Sequence, residues 1–175
     1  MSATHLAPAL RRHRSALVLR WARQFAINRQ AAGRPAVTID AKLLAALFDE
    51  VVSLLGANAV EHIPLRRHAE AFAELAVFPD NVAVCIDAFQ AGTQVLGAFI
   101  VENAGPVALW STSSRNRYLG ELDAVFHILV HREIEALCEM CLSRGPARPV
   151  TIAPTLLSTP SPVVTPPAPG VFLRN

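Results

Sequence analysis

An all-α fold is predicted by three observations. Apolar residues recur at three- and four-residue steps through most of the first 145 positions, helix-start and helix-stop residues punctuate those runs, and prolines crowd the end of the chain. Together they predict a single helical bundle of about five main helices over residues 1–145 and a disordered Pro-rich tail or linker over 146–175.

Pro8 is tolerated in a first helical turn, and Leu10, Leu17, Trp21 and Phe25 follow at seven- and four-residue intervals, so one long amphipathic helix should end near Gly33. Trp21 and Phe25 are its expected core residues. Thr38-Ile39-Asp40 offers side-chain oxygens to the open amides of a second helix, predicted from Asp40 to Leu55, whose stripe is Leu43, Leu44, Leu47, Phe48, Val51 and Val52. Pro64 opens a third, from about Leu65 to Val77, with Phe72, Leu75 and Ala76 inward and Arg66, Arg67, Glu70 and Glu74 outward. Val82 to Trp110 admits two readings. Its β-branched runs and glycines suit a three-stranded meander, but Val82, Ile86, Phe89, Thr93, Leu96 and Ile100 step by four and three after a Pro79-Asp80-Asn81 start. A helix from about Asn81 to Glu102 is therefore preferred. Asn103-Ala104-Gly105-Pro106 is a stop, the segment to Arg117 is irregular or a short turn of helix, and a last helix runs from Tyr118 to Leu142, closed by Gly145-Pro146. Beyond it lie eight of the 13 prolines, too little apolar pattern to offset the entropy of ordering.

With 52% hydrophobic and 17% charged residues and a formal net charge of +2, the chain is not a disordered acidic or basic effector. Three cysteines, Cys85, Cys138 and Cys141, lie in apolar segments and read as reduced thiols of a cytoplasmic protein. Val82 to Val101 is long enough to cross a bilayer but carries Asp87, Gln90, Thr93 and Gln94, so it reads as a buried helix and no membrane is expected. Charge is segregated: seven arginines and no acid precede Pro35, whereas Pro35 to Arg144 holds seven basic and 14 acidic residues. The arginines surround the first helix without forming a stripe, so a basic helix packing on an acidic body is expected and nucleic acid is not.

Candidate chemistry is sparse. His127 and His131 are four apart on the last helix with Cys138 three turns along and Cys141 at the edge, a donor set suited to zinc or haem iron. Only the i,i+4 pair can reach one ion from a straight helix, and Val130, Ile134 and Leu137 on the same stripe argue for packing, so no metal or cofactor is assigned. Asp87, in an apolar helix, should face outward, bond a neighbouring helix end, or line an interhelical ligand pocket with His127 and His131. Glu133, Glu135 and Glu139 read as a solvated face, Ser111 to Ser114 as helix capping, and Gly92 and Gly97 as close-packing points. No catalytic residue is expected, and the chain is not read as an enzyme.

Several local runs resemble the N-terminal helical domain of the RsbRD type, found in stressosome co-antagonists and some bacterial sensor histidine kinases. They are His13-Arg14-Ser15-Ala16-Leu17-Val18-Leu19-Arg20-Trp21, the Leu-rich second helix, Arg67-His68-Ala69-Glu70 through Leu75-Ala76-Val77 into Val82 to Phe89, and Phe126-His127 with His131. The resemblance covers most of Arg12 to Arg144. It implies a non-catalytic sensory or scaffolding module, homodimeric, with a signalling partner of STAS, kinase or phosphatase type. Where an output domain would follow stands the Pro-rich segment, so the module is expected to act through a partner, or the segment to begin a linker. Two other readings are a haem- or metal-binding helical sensor using His127 and His131, and an organellar helical protein with an Arg-rich transit peptide.

Overall fold

Six helices form in the computed structural model, which describes residues 6–55, 68–104 and 110–143. They are α1 (Leu6–Arg12), α2 (Arg14–Ala31), α3 (Ala41–Leu55), α4 (Ala69–Leu75), α5 (Asp80–Glu102) and α6 (Thr112–Ser143). The described residues all belong to one unit, Met1–Gly145. The expectations for a Leu65 start to the third helix and for the Pro-rich tail lie outside the described residues. From Val82 to Glu102 the helical reading holds, α5 being continuous over that span, and among the described residues beyond it there is one isolated bridge, between Ala104 and Trp110.

The predicted first helix is two helices. His13 leaves helical geometry at φ −103°, ψ 12°, and its amide bonds Leu10 in a tightened turn. Beyond the break, α1 buries Leu6, Ala7, Ala9 and Leu10 and packs against α3. At the other end of α2, Gly33 at φ +64° allows the Gly33 amide to bond the Gln30 carbonyl and the Arg34 amide to bond the Arg29 carbonyl. That pair of bonds is the Schellman closure, which places its turn residue in the left-handed region where glycine lacks the side-chain penalty. Asp40 caps α3 as expected, its carboxylate accepting the Lys42 amide at 2.8 Å. The last helix begins six residues before Tyr118, because Ser111 caps it: the Ser114 amide donates to Ser111 Oγ at 3.3 Å, and Ser114 and Arg115 both bond the Ser111 carbonyl.

α2 lies antiparallel against α5 in the most extensive seam of the bundle, with Arg20 bonded to Glu102 at one end and Arg29 to Asp87 at the other. At its centre Trp21 is fully buried and donates its indole N–H to the Ala88 carbonyl at 2.6 Å. Its ring fills the space Gly92 leaves: a Cβ there would come under 3.0 Å from three indole carbons. Phe126, 5.7 Å from Trp21, then Phe89 at 6.0 Å and Phe72 at 6.2 Å continue the ring contacts through α6, α5 and α4. A second group, Phe99, Trp110 and Tyr118, closes the far end, where Trp110 donates to the Ile100 carbonyl at 2.9 Å. By length and composition α5 could cross a membrane, and in this bundle most of its apolar length is buried against its neighbours.

The basic N-terminal region does pack on an acidic body. Arg14 pairs with Asp49, Arg20 with Glu102, and Arg29 and Arg34 with Asp87. The first two pairs are exposed and contribute little each.

Trp21→Ala should cost about 3–5 kcal/mol by removing a fully buried ring, and Gly92→Ala about 1–3 kcal/mol by forcing that ring out of place. Chemical denaturation monitored by circular dichroism measures both.

Candidate functional site

Two polar centres sit inside the bundle. The first is assembled by the turn after α2. Arg29 continues the Leu17, Trp21, Phe25 stripe by one further step of four, so its guanidinium is carried into the interior. There it donates to Asp87 Oδ2 at 2.8 Å and to the Pro35 carbonyl at 3.1 and 2.9 Å. Arg34, brought back by the left-handed Gly33, donates to Asp87 Oδ1. The side chains of Arg29 and Asp87 are only 5% and 7% exposed. Asp87 thus bonds a neighbouring helix end, one of the readings its sequence context allowed, with both carboxylate oxygens engaged.

The second centre joins α3, the start of α4 and α6. Glu133 is fully buried, correcting its assignment to a solvated face. It falls seven residues after the buried Phe126 and four after Leu129, and that spacing was the available signal. Its Oε2 accepts the His68 amide at 2.9 Å, and its Oε1 lies 3.4 Å from the Arg132 guanidinium. The His68 ring nitrogen Nε2 meets Glu50 Oε2 at 2.7 Å, and Arg132 stands 3.6 Å from Glu50 Oε1. Burial pushes the Glu133 carboxyl above its ordinary value, opposed by the His68 amide and by the charges of His68 and Arg132, while Glu50 pushes the same way as burial. Burial, with Glu133 beside it, also pushes the Cys85 thiol well up, away from the thiolate.

The remaining candidates do not join either centre. His127 and His131 are exposed on α6, and His131 Nδ1 lies 3.3 Å from Glu135 on the outer face. Cys138 and Cys141 are half-buried free thiols near the end of the same helix. Asp87 is therefore not brought into a common pocket with the two histidines, because its partners come from α2 and the following turn. Among the described residues no three His, Cys, Asp or Glu side chains gather where they could hold a metal ion. Chemically, both centres tie elements together: each carboxylate meets cations or amides supplied by another segment of the chain. No family model, curated protein or solved structure matches the chain.

Asp87→Ala leaves Arg29 buried beside a lost counter-charge and should cost about 3–5 kcal/mol, whereas replacing both Arg29 and Asp87 by apolar residues of similar volume should cost much less. Urea melts of the two variants and the wild type compare these.

Glu133 makes a pH prediction of definite sign. Its folded value lies above the ordinary 4.5, so the folded state holds the proton longer than the unfolded state does. The stability it gives is present below the unfolded value and lost as pH rises through the folded one. Relative to Glu133→Gln, which has no charge to bury, the wild type should lose melting temperature steadily as the pH is raised from 4.5 toward neutrality. A constant difference between the two across that range would refute the assignment.

Proposed function

We propose that this chain is a non-catalytic helical module of bacterial signalling, a cytoplasmic sensor or scaffold of the RsbRD type that works by protein–protein contact. The observation that carries this reading is a surface, not a cluster of reactive groups. Along α5, Ile86, Gln90, Thr93, Gly97 and Val101 follow one another at steps of three and four, all exposed or half-exposed and none charged. A charge-free strip about four turns long on the longest-buried helix of the bundle is a surface suited to another helix. Gly97 is half-exposed, and an added Cβ there would make ordinary contact with Leu119 of α6 at 3.7 Å.

On this reading two copies pair about a two-fold axis through their α5 strips, and small shifts of the paired helices pass a signal to a partner of STAS, kinase or phosphatase type. The engagement of Asp87, Glu133, His68 and Glu50 in structural pairs favours binding over catalysis as the role of the domain.

Light scattering of the full chain at micromolar concentration in high salt, where the charged contacts are screened, should give a dimer, and Ile86→Arg with Val101→Arg should convert it to a folded monomer. A wild-type monomer, or a dimer indifferent to both substitutions, would sink this pairing.

A further inference from the structure

Two further features, the turn before α5 and a groove along the α2–α5 seam, match each other. The first is the turn joining α4 to α5. Val77 is 84% and Phe78 50% exposed, so two adjacent large apolar side chains stand in solvent. They are flanked by the exposed carboxylates Glu74 and Asp80, which make no ion pair among the described residues. Single exposed apolar residues need no explanation, but an adjacent pair flanked by two acids makes a small apolar contact with charged edges.

The second feature is a groove of about 200 Å³ between α2 and α5, lined by Arg20, Arg23, Gln24, Ile27, Gln94 and Ala98, with Val95 at its floor. A cavity of roughly 150 Å³ is enough to take one benzene ring. Ile27 on its wall is 56% exposed. Arg23 is exposed and makes no ion pair among the described residues, whereas Arg20 is engaged with Glu102. The groove thus offers an apolar floor, polar amide walls and an uncommitted cation, and the turn offers an aromatic ring, an aliphatic neighbour and two uncommitted anions.

The two cannot meet within one molecule. Asp80 and Val95 lie on the same helix, 15 residues apart, which at 1.5 Å per residue is about 22 Å. We propose that the α4–α5 turn of one copy seats in the α2–α5 groove of the next, with Phe78 against Ile27 and Val95 and with Glu74 and Asp80 facing Arg23. Such a contact joins unlike surfaces and does not close on itself, so it builds chains or rings. It uses Gln94, Val95 and Ala98 of α5, and the two-fold pairing uses the strip from Ile86 to Val101 through Gly97, so the two contacts share no residue. Its charged component weakens as salt is added.

Complementation between two inactive surfaces tests the proposal. Arg23→Glu spoils the groove and leaves the turn intact; Phe78→Asp spoils the turn and leaves the groove intact. In sedimentation velocity at low salt, the wild-type full chain should gain mass with concentration beyond the dimer. Each variant alone should stop at the mass that α5 pairing gives. An equal mixture of the two should rise again, to at least about twice the mass of either, because every new contact joins an intact turn to an intact groove. Ile27→Glu, a second groove variant, should behave as Arg23→Glu does. The proposal is overturned if wild-type mass is flat with concentration, if either variant alone assembles like the wild type, or if the mixture gives only the average of its parts. Loss of the α5 pairing would instead lower every species to a monomer baseline and leave the gain on mixing in place.

Discussion

The approach of α2 to α5 at Trp21 and Gly92 sets the geometry on which the rest of the bundle depends. The indole fills the space a side chain at position 92 would take, and the hydrogen bond to the Ala88 carbonyl fixes the ring's rotation. From that fixed ring the contact through Phe126 orients α6, and Phe89 and Phe72 carry the arrangement to α4. Aromatic pairs of this spacing favour tilted and edge-on geometry, so each ring restricts the next.

The buried ions specify that arrangement more than they stabilise it. Taking Arg29 and Asp87 from water is costly, and their mutual attraction repays it only when the geometry is right. A slip of α2 along α5 would leave both charges buried without partners, which disfavours every register but the native one. The Glu133 centre does the same for α6 against α3 and the start of α4, where a backbone amide and not a full counter-charge supplies the closest bond. One domain thus carries two register locks on two different seams.

How much of this was legible in the sequence depends on whether the determining contact is local. The stripe Leu17, Trp21, Phe25, the Asp40 and Ser111 caps, the Gly33 stop and the helical period of α5 are local, and the sequence reading recovers them. The break at His13 was not legible, because nothing in Arg11 to Arg14 forbids a continuous helix, and it is the demand of α3 for a covering partner that bends the chain. Glu133 was misassigned because its polar neighbours Arg132 and Glu135 dominated the reading, although its spacing from Phe126 placed it on the inner stripe. The meeting of His68 with Glu50, and of Arg34 with Asp87, joins residues far apart in the chain and has no signature in either segment alone. The α2–α5 groove likewise exists only once two helices are placed side by side.

Cys85 sits where α5 meets the Glu133 centre, fully buried and held as a thiol by its surroundings. Thiol reagents and oxidants act on the thiolate, so Cys85 is the protected thiol of the folded protein, while Cys138 and Cys141 near the end of α6 are half-buried. The chain therefore carries an internal clock of its own breathing: the rate at which the buried Cys85 is alkylated, set against that of the two half-buried thiols, times the opening of its surroundings without any probe being introduced.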